Sequence, residues 1–388
     1  MHLRHPHYGP WLLNIQRPIR YVGQEHGAVT KNWSAIPHRM ALAFPDLYEI
    51  GMSHMGLRVL YGALNTQPDL LCERVFMPWD DMEHALRARD LPLVSLENSK
   101  PLQEFDLLGF SLQYELTYTN CLAMLDLAGI PLRSADRGDP HPLVVGGGPV
   151  ASHPEPMAPF FDLLFMGEAE EWLPLILRQE SSWRAMGIPR QQRLERLSRH
   201  EPVYVPSLHP PKKAGRHLVV GDRDEAVARR VWVEDLTRHP HAGSGPVPAT
   251  EAVFDRISLE IMRGCTQGCR FCQAGMIYRP VRERTPEETT AALRASIADT
   301  GWDEASLTAL SPADHSRLLD LFEMTAKVAR GCDASLSISS LRAYGLEGSF
   351  LDDLRTGRGG GLTFAPEGGT QKMRDLVNKN VSTEELEE

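Results

Sequence analysis

Short apolar runs of strand length alternate with stretches of helical period along most of this chain, and that alternation restricts its fold more than any other feature. In residues 38–180 the runs are "RMALAFPD", "PLVSL" at 92–96, "FDLLGFSLQYE", "PLVVGGGPV" and the start of "FDLLFMGEAEEWLPLIL". Between them "MGLRVLYGALN" repeats apolar residues at Leu57, Leu60, Tyr61 and Leu64, the spacing of one helix face. "TYTNCLAMLDLAGI" is a second helix, stopped by Gly129 and Pro131. Strands joined through helices run parallel and are covered on both faces, so residues 38–180 are expected to form a doubly wound, Rossmann-like α/β domain. Ligands of such sheets sit beyond the carboxyl ends of the strands, which here carry Pro45-Asp46, Ser111, Gly146-Gly147-Gly148 and Gly167-Glu168.

The pattern resumes in residues 251–388. Strand "RISLEIM", helix "TPEETTAALRASIADTG", strand "ASLTALS", helix "DHSRLLDLFEMTAKVARG", strand "ASLSISS", helix "GLEGSFLDDLRTG", strand "GLTFAPE" and helix "GTQKMRDLVNK" make four successive β/α units. Thr285 as N-cap, Pro286 at the first helical position and Glu288 three residues after the cap mark the first helix start. Repeated β/α units predict a β/α barrel with its chemistry at the carboxyl ends of the strands. Four units cannot close one, so a partial barrel is expected, in a chain that is a fragment continuing past Glu388. Residues 1–37 lack periodicity and read as an extended arm. Residues 181–250, rich in Arg, His and Pro, read as a connector with a minor β-subdomain, its hairpin falling in "HLVVGDRDEAVARRVWVEDL".

No apolar run approaches the ~20 residues of a membrane span, and residues 1–20 contain only three consecutive apolar positions. A cytoplasmic protein without a membrane partner is expected. The net charge of −10 argues against general nucleic-acid binding. The most basic stretch, "RQQRLERLSRH", has helical spacing and reads as a solvated helix face. Of six cysteines, Cys72, Cys121 and Cys332 stand alone among apolar neighbours and are expected to pack in cores.

The other three, Cys265, Cys269 and Cys272, lie within eight residues on the loop after "RISLEIM". In a reducing compartment such clustering points to metal or redox chemistry. A structural zinc site needs four protein ligands. The loop offers no fourth cysteine and no histidine, and His241 and His315 are each more than twenty residues away. Three thiolates suit a cubane cluster with one iron left open to a substrate or cofactor. A zinc-stabilised binding module without catalysis, and reduced free thiols, are the alternatives.

The Cys-x3-Cys-x-Phe-Cys loop after the first strand of a β/α array resembles the radical S-adenosylmethionine (SAM) superfamily. Five further stretches, "FPDLYEIGMSHMGLRVLYGALN", "ERVFMPWDDME", "FDLLGFSLQYELTYTN", "VVGGGP" and "MIYRPVRER", resemble one family within it. That family carries a cobalamin (vitamin B12)-binding-like domain ahead of the radical SAM domain. The resemblance implies a 4Fe–4S cluster on Cys265, Cys269 and Cys272, and SAM chelating the open iron. It also implies reductive cleavage of SAM to a 5′-deoxyadenosyl radical that abstracts a substrate hydrogen, and an electron donor such as flavodoxin or ferredoxin. For SAM it implies contacts from Phe271, Ser311, Asp314, Ser339, Ser340, Arg342 and Glu367. The plain alternative is strand-end polar residues that satisfy loop backbone. Arg279, Arg282 and Arg284 frame the pocket or an acidic substrate, or else a solvated surface. Ser53, His54, Ser111, Gly146 and Gly147 fall where a cobalamin would lie. The Asp-x-His-x-x-Gly motif that supplies a histidine to cobalamin is missing, which leaves bound cobalamin open against a vestigial scaffold or a substrate-docking domain. Methyl transfer is expected with cobalamin, and sulfur insertion or another hydrogen abstraction without it. An RNA base, a protein side chain and a small metabolite are all candidate substrates.

Overall fold

The computed structural model describes residues 5–220, 227–239, 241, 243–338 and 364–387. Cα packing divides the chain into two units, Met1–Val233 with Pro246–Val253, and Glu234–Gly245 with Phe254–Glu388.

In the first unit the sheet strands are β1 (His38–Phe44), β2 (Leu70–Phe76), β3 (Leu107–Ser111), β4 (Leu143–Gly147), β5 (Leu163–Phe165) and β6 (Val203–Tyr204). Their spatial order is β2-β1-β3-β4-β5-β6, with every pairing parallel except β5 with β6. This is a doubly wound order whose switch point lies between β1 and β3. The helices are α1 (Tyr48–Met52), α2 (Met55–Asn65), α3 (Asp80–Arg89), α4 (Tyr118–Leu127), α5 (Trp172–Ala185) and α6 (Arg190–Leu197). Strand alternation sorts the core into two layers. Ala41, Ala43, Leu108, Phe110 and Val144 pack with Met82, Leu86, Cys121 and Met124 of α3 and α4. Met40, Leu42, Phe44, Cys72 and Val145 pack with Leu57, Leu64, Ile176 and Leu194 of α2, α5 and α6. The expected Rossmann-like α/β architecture is therefore present.

Four local expectations change. The second strand is Leu70–Phe76, not residues 92–96. The latter run along the outer edge of β2 with Leu96 N donating to Arg74 O at 2.9 Å, then turn at Ser99 (φ +52°), so Val94 makes only an isolated bridge to Pro101. Residues of the arm fold as 3₁₀ turns whose Tyr8 and Leu12 are buried in the first layer. The hairpin is β7 (Lys212–Ala214) with β8 (His217–Val219), turning at Gly215 (φ +62°), so its second strand opens the stretch expected to hold it and its first strand precedes that stretch. Helix α6 is not a solvated face. Arg193 is fully buried against Glu180, and Arg190 donates to Asp162 at 2.8 Å, so carboxylates compensate the buried charge.

The second unit opens with β9 (Ile257–Glu260). The short strands β10 (Met262–Arg263) and β11 (Arg282–Glu283) follow, with α7 (Ala274–Ile277) between them. Next come α8 (Pro286–Thr300), β12 (Glu304–Thr308), α9 (Leu318–Gly331) and β13 (Ser335–Ile338). Strands β9, β12 and β13 pair in parallel in that order around a core of Ile257, Leu259, Leu293, Leu307, Leu321 and Phe322. The last described helices are α10 (Gln371–Leu376) and α11 (Thr383–Glu387). The helix expected over 345–357 and the start of the fourth strand lie outside the described residues. Thr285 caps α8 as expected, its Oγ1 accepting from Glu288 N at 3.2 Å. The Glu288 carboxylate instead accepts from Arg284. Cys332 ends α9 in an exposed turn rather than a core.

Candidate functional site

The three clustered cysteines sit on an excursion of the chain whose two ends are tied together. Met262 pairs with Glu283 and Arg263 with Arg282 in a two-residue antiparallel ladder, which closes the base of loop 264–281 at the carboxyl end of β9. Just inside the base the strands of the loop nearly touch. A Cβ on Gly264 would lie 2.5 Å from Pro280 O and 2.7 Å from Tyr278 O, and its φ of +92° is a conformation L side chains rarely adopt. Only glycine fits there.

Cys265 and Cys269 are buried, Cys272 is half-buried, and none of the three is in a disulfide. Cys272 N donates to Cys269 O at 3.1 Å, which curls the loop so that Cys272 reaches the start of α7. Several loop carbonyls are held, one by Arg279 of the loop itself and two by Asn378 from outside it. Arg279 Nε donates to Cys265 O at 3.4 Å, and Asn378 Nδ2 donates to Gln267 O and Gly268 O at 3.3 and 2.9 Å. Among the described residues, no three His, Cys, Asp or Glu side chains converge as ligands of one metal ion. A cubane makes a different demand, because each thiolate binds a different iron and the sulfurs stand apart. Three thiols on one tethered loop, with carbonyls at Cys265, Gln267 and Gly268 held by Arg279 and Asn378, fit that donor set.

The residues expected around the cofactor are distributed unevenly. Asp314 lies in the 3₁₀ turn after β12, but its carboxylate is taken by the cysteine loop: Gln267 Nε2 donates to both oxygens at 2.9 and 2.8 Å. Ser311 in the same turn is fully buried. Phe271 is exposed. Glu367 adopts φ +63° and stands 3.6 Å from Lys379 Nζ. Ser339, Ser340 and Arg342 lie outside the described residues. Of the three arginines, Arg284 is buried with Glu288 at 2.5 Å, Arg282 folds onto Tyr278 O and Pro280 O, and Arg279 is exposed at the loop. Sequence reasoning missed Gln267, Arg270, Asn378 and Asn380, which tie the loop to its surroundings. The one available signal was asparagine directly after a short helix.

In the first unit, the residues expected near a cobalamin gather at the β1/β3 switch point with their polar groups already engaged. His54 caps α2, its Nδ1 accepting from Leu57 N at 3.1 Å, and its ring packs on Phe44. Burial pushes this imidazole down to about 4, although a hydrogen bond to Gln113 opposes the shift. Ser53 donates to Glu49 O, and Ser111 accepts from Gln113 Nε2 at 2.8 Å. A Cβ at Gly146 would meet Leu112 and Phe161 at 2.9 and 3.1 Å, while Gly147 has more room. Across the crevice Tyr114 donates to Asp46, and burial together with that carboxylate raises its hydroxyl to about 12.

Comparison with known proteins matches this layout. Residues 56–206 fit the family model for radical SAM proteins, N-terminal, and residues 259–388 fit that of the radical SAM superfamily. The chain belongs to the radical SAM superfamily. Members of that superfamily use a 4Fe–4S cluster and SAM. A curated relative, the uncharacterized protein MJ0966 of Methanocaldococcus jannaschii, is 24% identical over 350 residues, covering 89% of this chain and 64% of the relative. Two solved structures of the radical SAM methyltransferase TsrM from Kitasatospora setae are 13% identical. They cover 82% of this chain and 57% and 58% of theirs, with TM-scores of 0.49 and 0.48. One holds a tryptophan substrate and a SAM analog, the other cobalamin and a [4Fe–4S] cluster. No helix among the described residues is long and apolar enough to cross a membrane.

Proposed function

We propose that this chain is a radical SAM enzyme in which Cys265, Cys269 and Cys272 hold three irons of a 4Fe–4S cluster. The observation that carries this reading is the tethered loop at the carboxyl end of β9, with three cysteines outside any disulfide and no fourth cysteine or histidine on it. When bound, the cluster supplies one electron to SAM, whose sulfonium bond breaks to give methionine and a 5′-deoxyadenosyl radical for hydrogen abstraction. The protein's share is positioning. The β10–β11 ladder and Gly264 fix the loop's entry and exit, and Gln267 on Asp314 ties the loop to the neighbouring strand end. Asp314 thereby serves the loop rather than a SAM amino group. Of the two carboxylates expected at SAM, Glu367, beside Lys379, is the one proposed to accept from ribose hydroxyls. A small reductase such as flavodoxin or ferredoxin is the proposed electron source.

Cobalamin fits less well. The His54 ring is held by Leu57 and Gln113, so a corrinoid at the switch point would bind without it as an axial ligand.

Anaerobic reconstitution with iron and sulfide tests the reading. About four irons per chain and dithionite-dependent 5′-deoxyadenosine are expected, both lost in Cys265→Ala, Cys269→Ala or Cys272→Ala. One zinc per chain without iron would overturn it in favour of a binding module.

A further inference from the structure

Helix α10 ends in a way that explains an otherwise odd residue choice. Its last residue is Leu376, its C-cap is Val377, and Asn378 follows at φ +53°. Asn378 N donates to Asp375 O at 3.1 Å and Lys379 N to Arg374 O at 2.8 Å, the two bonds of a Schellman motif. The left-handed residue of that motif is usually glycine, because glycine alone enters the region without steric cost. Asparagine can enter it too, and it carries a carboxamide that glycine lacks.

Here the carboxamide reaches the cysteine loop. Asn378 Nδ2 donates to Gln267 O and Gly268 O, two consecutive carbonyls between Cys265 and Cys269. The neighbouring residues grip the same loop. Arg270 N donates to Val377 O at 3.0 Å, Arg270 Nη1 to Leu376 O at 2.6 Å, and Asn380 Nδ2 to Gln267 Oε1 at 3.2 Å. Gln267 and Gly268 present their carbonyls away from the thiols, toward α10. Those carbonyls need donors from elsewhere. Outer-shell donors of this kind orient the ligands and tune the metal group's potential.

We infer that Asn378 is a positioning residue for the cluster: the Schellman end of α10 delivers its carboxamide to the Cys265–Cys269 carbonyls and holds the loop in its cluster-binding shape. This inference rests on the proposed iron–sulfur reading. It assigns no contact with SAM or with the reacting atoms.

Two variants separate this role from helix capping. Asn378→Gly keeps the left-handed turn and removes the carboxamide. Asn378→Asp keeps the shape but sets a carboxylate against two carbonyls. Each is reconstituted anaerobically in the full chain, and three quantities are read: cluster loss to a chelator, cluster midpoint potential, and the spectrum of the reduced cluster by electron paramagnetic resonance. Both variants should unfold at the wild-type midpoint when free of iron. They should lose the cluster roughly tenfold faster and show a shifted potential and altered resonance, with Asn378→Asp the more severe. Wild-type loss rate, potential and spectrum in Asn378→Gly would overturn the inference. If Asn378→Gly unfolds early, Asn378→Asp decides, since it tolerates the same backbone region. Failure of the wild-type chain to take up iron would instead overturn the iron–sulfur reading itself.

Discussion

Single residues carry the geometry of this site, and two of them yield tests. At Gly264 a methyl group would collide with two backbone carbonyls of the returning loop, which cannot swing aside as a side chain could. Gly264→Ala should therefore prise the loop open while leaving β9, β12 and β13 paired. Alkylation followed by peptide mass mapping checks this: Cys265 and Cys269 should react several-fold faster, and Cys72 and Cys121, buried in the other unit, at an unchanged rate. His54 invites the opposite kind of test. Its ring caps α2 and packs on Phe44, so His54→Ala should cost about 1–2 kcal/mol in denaturant unfolding. Corrinoid retention, measured by absorbance after growth with cobalamin, should match wild type. A loss of corrinoid without loss of stability would make His54 a ligand. The cysteines were legible in the sequence because three thiols at that spacing have few other uses. Asn378 was not, since its role depends on a helix end meeting a loop more than one hundred residues earlier.

At the scale of elements, helices α2, α4, α5, α8 and α9 follow from apolar period, the charged helix α3 does not, and a missed strand is instructive. Strand β2, "LLCERVF", places Glu73 and Arg74 at its centre, and adjacent opposite charges do not read as a buried strand. Burial is made possible by partners remote in sequence. Arg74 donates to Glu97 and Glu25 at 2.7 and 2.8 Å, and Asn98 and Ser95 donate to Glu73. Burial nonetheless pushes the Glu73 and Glu97 carboxyls upward. The "PLVSL" segment is apolar like a strand, yet it lies along the β2 edge and covers this network, with Leu96 N on Arg74 O and Ser95 on Glu73. Arg74→Ala should leave Glu25 and Glu97 buried without a cation and cost about 3–5 kcal/mol. Arg74→Lys retains charge but not the forked geometry, and should fall between. Urea unfolding of the three proteins ranks them, and a wild-type midpoint in Arg74→Ala would show the network to be dispensable. Helix α6 misled for the same reason, since the carboxylates that accept its arginines lie on α5 and on the loops before β4 and β5.

For the whole molecule, alternating strand and helix signals were enough to foresee two parallel sheets, because that pattern is a local property repeated many times. The partition of the chain was harder to foresee. Residues 246–253 return to the first unit after 234–245 have joined the second, through Val247 N to His26 O at 2.8 Å and Ala249 N to Tyr48 Oη at 2.9 Å. Both units share one acid-labile feature. Burial, with help from His7, lowers His5 to about 4; burial lowers His54 to about 4; and burial beside Arg284 lowers His241 to about 3. Each imidazole is neutral in the folded chain and titrates near 6.5 when unfolded. Below pH 6.5 the unfolded chain therefore binds protons that the folded chain refuses, so stability rises with pH across this window and falls as pH drops from 6.5 toward 4. Protonating the unfolded His54 alone is worth on the order of 2 kcal/mol at pH 5. Unfolding midpoints should drop between pH 7 and pH 5, and should drop less in His54→Gln, which removes one such group. Equal pH slopes in the two proteins would show that His54 titrates alike folded and unfolded, and would remove burial as the cause.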